Sequence, residues 1–378
     1  MAPGVSRKGS RRARCAGRAR GTVPALLVLS TRRMPRSLPA AVVTIALLAY
    51  APLAQAGPEI SLREFASGQI KKGVRSIGMG GDGATLGNYS LIYRDAGTAV
   101  LDYGLVHFDD TGNQFTFSAV GFTSPRFWDD AALYVIAMSQ HASDIHTWSL
   151  TPASARKPPS TGDGSNQAVF VKLAKPITDT LSAGILLSYE LSQMTLLPDE
   201  GGPAIIYRTA WRPSGGAGLS WQPSSLLLFG ARALLSNDWE TRIDGAGTRS
   251  GFARSYEYRL GAALFLWEGT IFDVGVAALD RYNELDAASS FKVAPTVGAE
   301  QAIVRKQLWV RAGLDETTWT FGVSGAVSPF KLDVAVLKNL GVDRTSEIFG
   351  KSNLGAFATL TVEYERPPAP IAGAASSK

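Results

Sequence analysis

An alternation of apolar and polar residues, repeated three times between Lys306 and Lys338, constrains this chain more than any other feature. Leu308, Val310, Ala312 and Leu314 alternate with Gln307, Trp309, Arg311 and Gly313. Trp319, Phe321, Val323 and Gly325 alternate with Thr318, Thr320, Gly322 and Ser324. Phe330, Leu332, Val334 and Val336 alternate with Lys331, Asp333, Ala335 and Leu337. A period of two puts successive side chains on opposite faces of a strand. The connections, Asp315-Glu316-Thr317 and Ser328-Pro329, are too short for a crossover helix, so the strands are antiparallel neighbours. Each run matches the ~9–11 residues that a tilted membrane-spanning strand needs. The expectation is an all-β fold, an antiparallel transmembrane β-barrel with lipid outside and a polar lumen.

Charge is the first test of that expectation, because a formal +6 invites a nucleic-acid partner. Residues 1–56 hold ten Lys/Arg and no acid; removing these ten from 38 leaves 28 basic against 32 acidic residues. The basic character belongs to the leader, and no nucleic-acid partner is expected. Within it, Arg36 supplies a positive flank, Ala40 to Tyr50 an apolar core, and Ala54-Gln55-Ala56 a small-x-small cleavage site, which together predict a secretory signal. Met34 is the expected start, so the expected organisation is an upstream basic extension at 1–33 and a signal peptide at 34–56. After these come a plug and first-strand region at 57–112, a barrel at 113–365 and a disordered Pro/Ala/Ser tail at 366–378. After position 56 no apolar run is long enough to cross a membrane as a helix. The single cysteine, Cys15, lies in the leader, so the exported chain offers no disulfide, thiolate nucleophile or cysteine metal site.

From residue 113 onward alternating runs recur, predicting strands at 113–122, 131–140, 167–175, 180–192, 205–221, 225–236, 251–267, 270–281, 291–303, 306–314, 317–327, 329–338 and 354–365. A closed single-chain bacterial barrel has an even number of strands. One more strand is therefore expected within 88–106, at Tyr89–Tyr93 or Val100–Val106, making fourteen, with twelve as the alternative. Short connections (175–179, 222–224, 268–269, 304–305, 328–329) alternate with longer polar ones (141–165, 193–204, 237–250, 281–290, 339–353). Short turns on one rim and long loops on the other suit an outer-membrane barrel, an asymmetry soluble sandwiches do not need. Trp128, Trp148, Trp211, Trp221, Trp267 and Tyr364 fall near strand ends, where interfacial girdles lie.

The stretch Arg75-Ser76-Ile77-Gly78-Met79-Gly80-Gly81, followed by Tyr93-Arg94-Asp95-Ala96-Gly97-Thr98-Ala99, resembles the amino-terminal signature of the FadL-like outer-membrane transport family and its PorV-like relatives. Arg94-Asp95 stands where the second motif usually has Asn-Pro. The hairpins from Val310 to Leu314 and from Pro329 to Asp333 also look like that family's late strands. The resemblance implies a fourteen-stranded barrel with an amino-terminal plug. It also implies either passage of small hydrophobic compounds such as fatty acids or aromatic hydrocarbons, or a non-transporting role docking secreted proteins. Arg75, Gly78, Met79, Gly80, Gly81 and Asp82 are the candidate plug and gating residues. Glycine tolerates close backbone approach, and non-ladder backbone is tolerated at membrane depth where protein buries it.

Continuing the alternation places Glu190, Arg232, Glu257, Arg259, Asp273, Arg311, Lys331, Asp333 and Glu363 toward the lumen, since Arg or Lys facing lipid costs ~2–4 kcal/mol at the midplane. A structural ion-pair network is the plain reading of these charges, and a selectivity surface or plug latch the functional one. Gly78 to Gly83 lacks the Lys-Ser/Thr and the strand–turn–helix setting of a phosphate cradle. His141 and His146, near Ser139, Ser143 and Asp144, fall beside or in an expected long loop, without the scaffold a nucleophile–base pair or metal site requires. No enzyme activity, cofactor or metal is expected. The expected partners are outer-membrane lipid, barrel-assembly machinery during biogenesis and a small hydrophobic ligand.

Overall fold

A computed structural model describes residues 74–79, 84–94, 97–109, 112–128, 130–147, 160–198, 201–209, 212–267, 269–285, 288–305, 307–315, 318–339 and 353–365. The expected leader, signal peptide and tail lie outside the described residues, as do Gly80, Gly81, Asp82, Trp148, Trp211 and the expected loop residues 340–352.

Fifteen antiparallel segments form one sheet. They are β1 (Gly97–Phe108), β2 (Gln114–Trp128), β3 (Ala131–Thr147), β4 (Ser160–Pro176), β5 (Leu181–Pro198), β6 (Ile205–Thr209), β7 (Arg212–Ser224), β8 (Leu227–Asp244), β9 (Gly247–Trp267), β10 (Thr270–Asn283), β11 (Ala288–Val304), β12 (Leu308–Asp315), β13 (Thr318–Val327), β14 (Phe330–Asn339) and β15 (Asn353–Glu365). β1 pairs with β15 and β4 with β5, so the sheet closes without an edge. β6 and β7 share one position between β5 and β8, which makes fourteen barrel strands. Closure gives each strand a hydrogen-bonded neighbour on both sides, the arrangement that lets strands cross lipid.

The opening hairpins behave as their alternation predicts. On β13, Trp319, Phe321 and Val323 face outward and are exposed, while Thr318, Thr320, Gly322 and Ser324 are buried inward. The fourteenth strand is β1, covering Val100–Val106; Tyr89–Arg94 is a 3-10 helix instead. The expected long loops also need correction. The pairs His141↔Ser165, Met194↔Tyr207 and Asp244↔Gly247 lie in the ladder, so 237–250 is a tight hairpin and 141–147, 160–165, 193–198, 281–283 and 288–290 are strand. Toward the rim of these hairpins polar residues occupy both faces of a strand. The hydrophobic contrast that marks a strand in sequence fades there, although backbone pairing continues. Trp128, Trp221, Trp267 and Tyr364 are exposed at the short-turn rim.

Candidate functional site

Inward residues divide the lumen into two levels. Toward the short-turn rim it is charged. Arg311 on β12 bonds Glu300 on β11, Asp333 on β14 (3.1 Å) and Ser324 on β13 (2.5 Å), and Lys331 also holds Asp333 (2.9 Å). On the other wall Glu257 receives Arg232 (2.7 Å) and Arg259 (2.6 Å). Arg232, Arg259, Asp273, Arg311 and Asp333 are buried; Glu190, Glu257 and Lys331 are partly covered, and Glu363 is exposed near the end of β15. Glu190 takes a bond from Ser188 (3.3 Å). Buried charges of this kind persist only with partners, and each carboxylate in this network has at least one cation or hydroxyl.

Toward the opposite rim, the wall of β1 to β3, β5, β6, β14 and β15 is apolar. Phe108, Phe115, Phe117, Ile145, Met194, Leu196, Tyr207, Leu337 and Phe357 cluster with Ile77, drawn from seven strands. Phe108 meets Phe115 edge-on at 5.3 Å, and Phe117 tilts on Phe357 at 5.8 Å. These side chains are buried, so the apolar level belongs to the barrel interior and not to its outer face.

Residues 74–79 and 84–94 are seated on the inner wall at the charged level. The short helix α1 (Val74–Gly78) lies against β12 to β15, and the 3-10 helix (Tyr89–Arg94) against β2 to β5 and β7. Arg75 donates two bonds to Glu300 (2.8 and 3.1 Å), the carboxylate that Arg311 also holds. The hydroxyl of Thr85 bonds Asp273. Asn88 donates to the carbonyls of Leu219 and Ala231, both at 3.0 Å, and Ser90 shares a hydrogen with Ser220 at 2.6 Å. The Tyr89 ring lies beneath Arg232, 5.3 Å from its guanidinium.

Wall glycines make this seat possible. A Cβ on Gly322 would stand 3.2 Å from the Gly78 Cα, one on Gly298 3.0 Å from the Met79 carbonyl carbon, and one on Gly184 2.8 Å from the Ser90 nitrogen. Comparable overlaps arise at Gly218 with Asn88 and at Gly230 with Ala84. Close backbone approach is the property only glycine supplies at these positions.

Of the expected gating residues, Arg75, Gly78 and Met79 belong to this seat, with Met79 1% exposed. Sequence reasoning passed over Thr85, Asn88, Ser90 and Glu300. Parity along β11 would have found Glu300, which is inward between outward Ala299 and Gln301. His141 and His146 need correction: both lie on β3, paired with Ser165 and Thr161, and both are exposed.

No protein-family model matches the sequence, and no curated protein matches it. Solved structures do match the fold. A Pseudomonas putida toluene transporter, TodX, shares 12% identity over 76% of this chain and 97% of its own, with a TM-score of 0.51. The monoaromatic hydrocarbon channel CymD shares 13% over 78% and 97%, also at 0.51. A Pseudomonas aeruginosa FadL homologue shares 10% over 77% and 98%, at 0.50. The chain therefore shares the fold of these solved structures.

Proposed function

We propose that the protein is an outer-membrane channel of the FadL type, admitting small hydrophobic compounds to an apolar chamber above a seated amino-terminal plug. The observation that carries this function is the two-level lumen. An enclosed apolar level offers a non-polar molecule a favourable environment, gaining roughly 25 cal/mol per Å² of apolar area removed from water. The charged level beneath holds Arg75, Thr85, Asn88 and Ser90 by named bonds. Met79 is packed against Gly298 beside the Glu300 ion network, so passage at this level requires the segment to move. In this function Arg75, Gly78, Met79, Gly80, Gly81 and Asp82 act as plug and gate, and the inward charges as its latch. The shared fold of TodX, a toluene transporter, and CymD, a monoaromatic hydrocarbon channel, supports the ligand class.

The same closed, ion-paired level favours a second function, a permanently plugged barrel that docks secreted proteins. Uptake by proteoliposomes over a panel of fatty acids and aromatic hydrocarbons separates the two. A channel raises uptake of at least one class above protein-free vesicles, and deletion of residues 73–87 changes that rate. No uptake by either form would exclude the channel and leave docking.

A further inference from the structure

One arginine stands on the outer wall of the barrel where the apolar surface ends. Along β9 the positions Ala253, Arg259 and Ala263 are buried inward, so Arg254 faces outward by parity. Below it on the same face come Tyr256, Tyr258, Leu260, Ala262 and Leu264, with Tyr258 and Leu260 exposed. From Arg254 to Trp267 at the short-turn rim, β9 advances thirteen residues (267 − 254). At ~3.3 Å per residue and a tilt of ~40° this is a height of ~33 Å. The apolar band of an outer-membrane barrel is only ~25 Å tall, so Arg254 lies above it, at the level of the lipid headgroups. Its rim is the one opposite the short turns, which faces outside in such barrels.

The neighbours of Arg254 make a row of donors. Asn237 on β8, Arg254 on β9 and Tyr282 on β10 pair in register, so their side chains share one face. The guanidinium carbon lies 5.6 Å from the Tyr256 ring and 5.7 Å from the Tyr282 ring, and both contacts hold it in place. The Tyr256 hydroxyl donates to Asn237 Oδ1 at 3.0 Å, which leaves the Asn237 Nδ2 as a donor. Asp280, in register with Tyr256, takes a single contact from Arg254 Nη2 at 3.3 Å. Charge-assisted pairs usually close to ~2.7–2.9 Å, so this long contact leaves the cation partly uncommitted. Among the described residues none takes a bond from Arg254 Nη1, and the side chain is 40% exposed.

The rest of the patch suits a headgroup. Trp239, exposed on β8, packs edge-on against Phe252 at 6.3 Å, and aromatic rings at this level sit among lipid headgroups. The other nearby carboxylate, Glu284, accepts the Phe252 backbone N–H at 2.8 Å. We infer that Arg254, with the Asn237 amide and the Tyr282 hydroxyl beside it, holds the phosphate of a lipid headgroup in the outer leaflet. The acyl chains of that lipid run down the apolar face over Tyr258 and Leu260. A planar guanidinium matches the geometry of phosphate oxygens, whereas a neutral headgroup would leave Arg254 only the long contact to Asp280. The site requires the membrane-spanning barrel and not the channel function, so its failure would leave that function standing.

Native mass spectrometry of the detergent-solubilised full chain, with dioleoyl phosphatidate and dioleoylglycerol added in equal amounts, tests it. The wild type should retain phosphatidate about tenfold more than the glyceride, a factor that one charge-assisted hydrogen bond supports. Arg254→Gln and Arg254→Ala should each retain the two lipids equally, so one variant that fails to fold does not end the test. Arg249→Gln removes a charge near the same rim, from a side chain paired with Asp244, and should leave the preference unchanged. Equal retention by the wild type, a preference that survives loss of Arg254, or one lost equally in Arg249→Gln overturns the inference. Competition by inorganic phosphate as strong as by phosphatidate would make this a site for a free anion. A lipid-free dimer that is lost in Trp239→Ala would make the patch an interface between copies. Either result also overturns the inference.

Discussion

Arg311→Ala is the perturbation whose cost the structure states most directly. The Arg311 side chain is 2% exposed and serves Glu300, Asp333 and Ser324 together. Removing one partner of a buried pair costs ~3–5 kcal/mol, because a charge is left without compensation. Here the carboxylates are not abandoned: Glu300 keeps Arg75 and Asp333 keeps Lys331. The expected loss is therefore at the lower end, ~3 kcal/mol. Arg75→Ala removes a bond to the same carboxylate, but the Arg75 side chain is 40% exposed and Glu300 keeps Arg311. Solvent screening reduces that loss to ~1 kcal/mol. The double variant strips both cations from Glu300, whose side chain is 5% exposed, so its loss should exceed the sum of the single losses by ~0.5–3 kcal/mol. Urea unfolding in lipid vesicles, followed by tryptophan fluorescence, measures all three at a common slope. The proposed division into a structural wall charge and an auxiliary latch fails if Arg75→Ala costs as much as Arg311→Ala. Additive losses would show that Glu300 does not couple them.

Two further outcomes test the seat and the wall. Gly298→Val should displace the amino-terminal segment, since a Cβ there collides with the Met79 backbone; Met79→Cys on that background should react with a membrane-impermeant thiol reagent faster than Met79→Cys alone, while the heat-modifiable gel shift of the barrel is kept. Val323→Arg, on the exposed outward face, should cost ~2–4 kcal/mol near the bilayer midplane, measured by the same urea unfolding. A cost near zero would mean that this face does not meet lipid.

How much could be read in advance differs between wall and interior. On β12 to β14 a two-residue period decided strand, direction and face for Arg311, Lys331 and Asp333, because lipid on one side enforces contrast. The rule weakens where that contrast ends. At Asp244↔Gly247 polar residues fill both faces, and a tight hairpin resembles a loop. At Thr209 the strand is broken by a register shift of one residue, which leaves no mark in the alternation. The 3-10 helix at Tyr89–Arg94 reads as a short apolar run that suits a strand equally well.

The sequence by itself determined the fold class and the inward direction of the charges, since both follow from local periodicity and the cost of placing charge in lipid. Tertiary structure alone decided who meets whom. Arg75 reaches Glu300 across 225 positions, Thr85 reaches Asp273 across 188, and glycines from six strands make room for one segment. Partnership across a closed barrel depends on register and on three-dimensional proximity, and neither is encoded in the spacing of residues along one strand.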